Sequence, residues 1–470
     1  MMQRDPMRGN ELTLRVELAN APGSFARLAQ AIAQAEGSLG NVDIVSSSND
    51  SMVRDICVLV RDENHGKHVV EAVKTIQGVQ LVNVSDQIMQ MHLGGKVSVQ
   101  SKFPLKNRAT LNMAHWPGSE RVCRAILEKQ SSVHSFTIKR NHVAILSDGS
   151  GVFEMGDIGP FAALPVQEGK AMIYNDFADI DAFPLCLDVR DDQHFIDAAS
   201  AVAPGFGALL LNDIVSRRAR AVQYKLDAAL PIPVFHDFYD GSSIAALAAL
   251  FNAMHVVGKE ISKIRVVMDN IGHRATLLAR LLKEAGVTQL IPVPTHKDHD
   301  TPEERAGFER YSGWKIPGTN LEEALNGADL FVSMRPQRLG LAADLSNMAD
   351  KSIIFFLGDP DRGGDPSDVV NAGCIVAANR TDTPNQIDSI LGSMGSLRGA
   401  LDVYATEINL TMMIAAARSL ADVIDRQDLT VDYILPSVFN RDVVKVVARS
   451  VAAAALKTQV GRRRWQKPTL

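Results

Sequence analysis

The sequence predicts an α/β protein in three parts: an N-terminal ferredoxin-like α+β domain, a central α/β domain, and a Rossmann-type α/β domain. Three observations carry this. Residues 11–92 alternate between strand and helix patterns in the order βαββαβ. Short apolar runs that end on acidic or amide residues recur from Val143 to Phe238. KIRVVMDNIGHRATLLARLLKEAG then reads as a strand, a turn and a helix that open a βαβ unit.

In the first part, ELTLRVELA alternates as a strand, Asn20-Ala21-Pro22-Gly23 forms a turn, and SFARLAQAIAQAEG is an amphipathic helix ending on Gly37. NVDIVSSS, MVRDICVLVRD, HVVEAVKTI and VQLVNVSDQIMQMHL supply strand, strand, helix and strand. In the second, VAILSD closes on an Asp-Gly turn, GDIGP makes another turn, and Gly169-Lys170 precedes a strand-like AMIY. PLCLDVR, GALLLNDI and IPVFHDF follow as strands, and ligands bind at the C-terminal ends of strands in such sheets. Asn212, Asp213, His236 and Asp237 are therefore expected at one crevice. In the third, VTQLIPVPT, GADLFVSM, KSIIFFLGD and GCIVAAN are later strands, and helices at 403–425 and 441–457 pack back on the rest. The expected boundaries are 10–92, 93–255, 256–430, and 431–470 for a C-terminal helix with a basic tail.

At 470 residues, 46% hydrophobic and 22% charged, the chain is long enough for several cores. A net charge of −5 argues against nucleic acid, and Arg462-Arg463-Arg464 reads as a solvated tail. Cys57, Cys123, Cys186 and Cys374 lack metal-ligand spacing and are expected as reduced core thiols. No stretch is expected to reach the length of a membrane span, and no signal core is seen, so a cytoplasmic protein is expected.

The segment 143–188, HWPGSERVCRAI at 115–126 and RTDTPNQIDSILGSMGSLRGALD at 380–402 together resemble the malic enzyme family over roughly residues 95–455. The first part resembles the small-molecule-sensing ACT domain, which implies an effector near Pro22, Gly23 and Gly37 and pairing between copies. The malic enzyme resemblance implies a lysine base at Lys170, and it places His115 where the family has a tyrosine acid. It also implies a Mg or Mn site, for which the family's Glu-Asp pair reads Asn212-Asp213 and its His-Asp-Asp segment reads His236-Asp237-Phe238. A hard cation wants several anionic oxygens, so only Asp213, with Asp237 and Asp240 as substitutes, remains for a metal. Without the cation, an acidic neighbour such as Asp213 or Asp237 would favour the charged ammonium and make Lys170 half of a salt bridge.

The family's glycine-rich NAD(P) turn reads Asn270-Ile271-Gly272-His273-Arg274-Ala275. There Asn270 can adopt a positive φ at some cost, Gly272 allows close approach, Arg274 could attract a phosphate and Ala275 suits helix packing. The acidic residue that would bind the ribose gives way to the Pro294-Thr295 region. The substrate asparagines of the family read Asp359 and Asp388, which would repel a dicarboxylate.

Turns and apolar strands keep their character while the chemical positions are rewritten. The sequence therefore predicts a malic-enzyme-like protein that has lost standard malate oxidative decarboxylation and serves a regulatory or ligand-binding role. One alternative is an oxidoreductase or lyase of altered chemistry that uses Lys170 and His115 on a non-malate substrate. Another is an active NAD(P)-dependent malate dehydrogenase (oxaloacetate-decarboxylating). A homo-oligomer, at least a dimer, or association with a related chain is expected.

Overall fold

The computed structural model describes residues 11–153, 155–189, 191–294, 301–334, 345–358, 375–379 and 383–462. The chain divides into two compact units, 1–100 and 101–470.

In the first unit, β1 (Glu11–Ala19), α1 (Ser24–Gln34), β2 (Ser38–Ser47), β3 (Ser51–Leu59), α2 (Glu63–Lys74) and β4 (Val79–Asp86) follow the expected βαββαβ order, and a short α3 (Gln87–His92) comes after. The strands form one antiparallel sheet in the order β2-β3-β1-β4. Leu14, Val16 and Leu18 alternate inward along β1 against Leu28 and Ile32 of α1 and Val69 and Val73 of α2. Fully burying such side chains is worth about 1.5–3 kcal/mol each, which explains why the period-2 and period-3.6 patterns were legible.

The second unit begins with α4 (Arg108–Ala114), α5 (Gly118–Glu128) and α6 (Val133–Phe136). Next come β5 (His142–Ser147), α7 (Gly159–Ala178), β6 (Asp181–Cys186), α8 (Asp192–Val202), β7 (Ala208–Leu211), α9 (Ser216–Ala229), β8 (Val234–His236) and α10 (Ser242–Val257). Strands β5 to β8 form a parallel sheet in the order β6-β5-β7-β8. A second parallel sheet, β10-β9-β11-β12-β13, is built from β9 (Arg265–Met268), β10 (Gln289–Pro292), β11 (Leu330–Ser333), β12 (Ile353–Phe356) and β13 (Ile375–Ala378). Helix α11 (His273–Ala285) follows β9, and α12 (Pro302–Ser312) and α13 (Leu321–Leu325) lie between β10 and β11. The helices α14 (Ser389–Asp402) and α15 (Leu410–Ala421) pack with α10, and α16 (Asp442–Lys457) packs on both of them.

Several expectations are corrected here. The segment with Gly169-Lys170 and AMIY is no strand: it lies inside the 20-residue helix α7. Ala163, Gln167, Ala171, Tyr174 and Ala178 are buried at spacings of three and four, a helical period that the short apolar run AMIY concealed. Asn270 does not adopt positive φ. Its side-chain oxygen instead accepts the Gly272 N–H at 2.6 Å, closing the turn locally. Cys123 is exposed and Cys57 and Cys186 only half-buried, so these thiols are not core residues, and Cys374 lies outside the described residues. Residues 237–257 are long and apolar enough to cross a membrane, contrary to expectation, but most of that stretch is buried within the protein.

Candidate active site

Helix α7 places Gln167, Lys170 and Tyr174 on one face, because residues three and four apart lie one above the other. That face meets the C-terminal ends of the neighbouring strands β7 and β8, where Asn212 and Asp213 follow β7, His236 ends β8 and Asp237 follows it. The Lys170 Nζ donates to Asp237 Oδ2 at 2.7 Å, the Tyr174 hydroxyl donates to Asp237 Oδ1 at 2.8 Å, and Ser389 Oγ donates to Asp237 Oδ2 at 3.1 Å.

Asp237 opens a five-residue π-turn, Asp237–Gly241, between β8 and α10. Ser389 reaches it because α14 crosses the turn at two glycines. A Cβ on Gly241 would sit 2.4 Å from the Ser389 carbonyl oxygen, and one on Gly392 would sit 2.2 Å from the Gly241 carbonyl oxygen. Any larger residue would push the helix off the carboxylate.

Burial opposes charge on Lys170, but Asp237 above all, then Asp388 and Asp213, more than offset it and raise its pKa. Burial likewise works against the Asp237 carboxylate, while Lys170, Tyr174 and Ser389 outweigh it and hold the carboxyl below its usual range. The pair is therefore an ammonium and a carboxylate at neutral pH. Burial pushes Asp213 and Asp388 up despite the opposing charge of Lys170. Asp388 caps α14 by accepting the Ile390 N–H at 3.0 Å.

A second network holds Asp213. Gln167 Nε2 donates to Asp213 Oδ2 at 2.7 Å, and Asn212 Nδ2 donates to Gln167 Oε1 at 2.9 Å and to Asp213 Oδ2 at 3.1 Å. Asp240 points elsewhere: its Oδ2 accepts Gln223 Nε2 at 2.7 Å and the His236 N–H at 2.8 Å.

The loop Asn270-Ile271-Gly272 leads from β9 into α11 beside this site. It lines a cleft of about 180 Å³ with Arg220, Phe238, Tyr239, His273, Arg274, Glu304 and Met334. Arg274, expected to attract a phosphate, turns inward. Its side chain is buried, donates to the Leu357 carbonyl, and lies 4.7 Å from the centroid of the Phe238 ring, leaving Nη1 without a partner among the described residues. Burial lowers its pKa to about 10, so it remains charged. Ile271 is buried and Ala275 packs in the core, as a tight helix–sheet junction needs.

The chain as a whole has clear relatives among known proteins. The family description "Malic enzyme, N-terminal domain" matches residues 95–199, and "ACT domain" matches residues 8–83. The chain is 40% identical over 457 residues to the NAD-dependent malic enzyme of Geobacillus stearothermophilus, with 96% of each chain covered. The chain belongs to the malic enzyme family. The bifunctional malic/malolactic enzyme of Bacillus subtilis is 34% identical over 375 residues, covering 78% of this chain and 92% of that one. The crystal structure of malic enzyme from Pyrococcus horikoshii superposes with a TM-score of 0.73 at 35% identity, over 80% of this chain and 92% of that one.

Within this malic enzyme chain, the structure assembles Lys170, Asp213, Asp237 and Asp388 but leaves His115 out. His115 is exposed at the end of α4, a helix that buries no residue, and takes no part in the described network around Lys170. The hydroxyl found in that network is Tyr174's, bonded to Asp237. Its signal was the spacing of four from Lys170, readable only once α7 is taken as a helix. Ser389, Gln167 and Asn212 join it as polar groups whose roles needed the tertiary contacts.

The metal set the family implies does not fit. No group of three or more His, Cys, Asp or Glu converges on a cation position among the described residues. Asp213 and Asp240 already accept two N–H donors each, Asp237 accepts three donors, and Phe238 stacks under a guanidinium. Asp359 lies outside the described residues.

In the first unit, Gly23 takes φ 88° at the start of α1, and Gly37 sits where a Cβ would be 3.0 Å from Ile32 and Val58, so both have structural reasons to be glycine. Pro22 is exposed beside Gly23, at the other end of α1 from Gly37. The unit's cavity of about 360 Å³, lined by Leu12, Val60, Asp62, Gly66 and Val84 among others, lies at the other end of β1 from Pro22 and Gly23.

Proposed function

We propose that this chain is an NAD(P)-linked oxidoreductase of the malic-enzyme type, which oxidises malate or a similar 2-hydroxy acid and releases carbon dioxide. The observation that carries this reading is the Lys170–Asp237 pair, braced by Tyr174 and Ser389, at the strand ends beside the loop that opens α11. Its support from relatives is broad: the likeness to a chain named NAD-dependent malic enzyme runs through both the site and the βαβ region. That favours an enzyme over the regulatory role predicted from the sequence.

A dinucleotide fits the loop. The N-terminus of α11, the end of a helix that favours anions, opens on the cleft, and the buried Arg274 guanidinium adds positive charge behind it. When bound, the nicotinamide supplies the hydride acceptor. The chain's own residues do the rest. Lys170 donates to the substrate oxygen, Asp237 fixes the direction of its ammonium, and Tyr174 locks Asp237 from the other side. Asp213 and Asp388, shifted up by burial, are the groups suited to take the hydroxyl proton.

A second reading is a substrate with less negative charge than malate. It is favoured by three carboxylates, Asp213, Asp237 and Asp388, gathered around the one ammonium of Lys170. Purified protein incubated with malate, then with neutral and monocarboxylate 2-hydroxy compounds, and with NAD or NADP, tests both readings. Reduced cofactor with malate supports the first, reduced cofactor only with the less charged compounds supports the second, and none with any overturns both.

A homo-oligomer belongs to the same proposal, with a mixed assembly with a related chain as its alternative. Helices α4 and α5 bury no residue, while Leu111, Met113 and Leu127 on them and Trp116 between them are exposed.

A further inference from the structure

We propose that this chain works without a divalent cation and that the Lys170 ammonium is the positive pole of its site. The inference rests on the enzymatic reading above and concerns the decarboxylation half of the reaction. A Mg or Mn ion needs several oxygen ligands converging on one point, with their lone pairs free. The carboxylates that could serve already accept hydrogen bonds from the protein's own donors.

Asp213 Oδ2 is closed between two amide donors, Gln167 Nε2 at 2.7 Å and Asn212 Nδ2 at 3.1 Å. The Asn212 and Gln167 side chains are also bonded to each other at 2.9 Å, so the three form a ring whose N–H groups would meet a cation with their positive ends. Both oxygens of Asp237 are taken, Oδ2 by Lys170 and Ser389 and Oδ1 by Tyr174. At the next position Phe238 presents a ring whose face is covered by the Arg274 guanidinium, 4.7 Å from its centroid. A metal placed here would face amide N–H groups, an ammonium and a guanidinium. These are the surroundings of a site built for an anion's oxygen.

The chemistry still needs a positive group. In the loss of carbon dioxide from a 2-oxo acid bearing a carboxylate on C3, the bond between C3 and that carboxylate breaks. Its electron pair moves to form the C2–C3 double bond while the carbonyl pair passes to the C2 oxygen as an enolate. A proton from solvent then adds to C3 and the ketone reforms. The enolate oxygen is where charge develops, and a fixed donor there lowers the barrier. Lys170 is the donor the geometry provides, held at 2.7 Å by Asp237 and only 17% exposed. No oxidant or reductant is needed for this half-reaction, so it can be followed with oxaloacetate alone.

The test uses the full chain after exhaustive chelation. Manganese(II) is titrated in and the free ion followed by its electron paramagnetic resonance signal. The expected result is no stoichiometric binding to the native chain, and at least tenfold tighter binding in Asn212→Glu/Phe238→Asp. One manganese per chain at micromolar concentration, lost in Asp213→Asn, would overturn the proposal whether or not the double variant folds. In parallel, oxaloacetate decarboxylation in chelator is expected within twofold of its rate with manganese. Lys170→Met should lower it at least a hundredfold and Lys170→Arg, which keeps the charge, by much less. A rate abolished by chelator, or equal loss in both lysine variants, sinks the role given to Lys170. If no 2-oxo acid is turned over under any condition, the enzymatic reading falls and that role with it, while the manganese titration still decides the cation.

Discussion

Lys170 and Asp237 are separated by 67 residues in sequence and by 2.7 Å in space, with the lysine side chain 17% exposed and the aspartate 2%. Removing one partner of a buried pair leaves the other uncompensated, at a cost of about 3–5 kcal/mol. Asp237→Ala should therefore lower the unfolding free energy by about that amount, and Lys170→Met/Asp237→Asn should recover part of it. Urea denaturation of the three proteins checks this, and equal stability of all of them would show the pair to be solvated in solution.

The same pair has a defined pH window. Lys170 has its pKa raised on folding, so its contribution is complete below the ordinary lysine range and disappears as pH rises through the higher folded value. Asp237 has its pKa lowered, so its contribution is complete above the ordinary carboxylate range and disappears as pH falls through the lower folded value. Stability supplied by the pair should be flat from about pH 5 to pH 10. A thermal denaturation series with and without Lys170→Met measures it as the difference between the two curves.

Two buried histidines act on the acid side. Burial lowers His236 to about 3 and His273 to about 4, so both stay neutral in the fold while the unfolded chain takes up protons below about pH 6.5. The native state should lose on the order of 1 kcal/mol per pH unit for each of them between pH 6 and pH 4.5. His236→Asn keeps an acceptor for the Tyr239 N–H and should flatten that slope. An unchanged slope would mean that the imidazole is protonated in the fold.

Gly241 and Gly392 let α14 lie directly on the π-turn. Gly392→Ala places a methyl group against the Gly241 backbone, and overpacking of this kind costs about 1–3 kcal/mol. The melting temperature should fall, and activity should fall further than stability, because Ser389 moves off Asp237. A variant with native melting and native turnover would contradict the close approach.

Arg274 joins the cofactor loop to Phe238. Arg274→Met keeps the packing and removes the charge, so it should weaken dinucleotide binding by about tenfold, the loss of a single charge-assisted contact. The shift in melting temperature across a titration with NAD and NADP gives the affinity directly, and undiminished affinity would place the phosphates elsewhere.

Much of this protein was legible in the sequence. Patterns of period two and 3.6 record which side chains face a core, so the βαββαβ order, the parallel strands β5 and β7 to β9, and their acidic or amide ends could be read locally. The rewritten positions, Asn212, Phe238, Asp388 and the Asn270–Ala275 loop, were likewise visible as residues, and so was the expectation that Lys170 would sit in a salt bridge. Helix α7 was misread, because the AMIY run fits a buried strand as well as a buried helix and only its packing on two sheet ends separates them. With it went Tyr174 and Gln167, whose alignment with Lys170 exists only on a helix.

Tertiary structure alone decided which carboxylate takes the lysine, that Ser389 arrives from a helix 152 residues away, and that Arg274 turns inward onto Phe238. Such choices depend on which donors and acceptors meet where water is excluded. A sequence lists the groups, but their partners follow from the fold that brings them together.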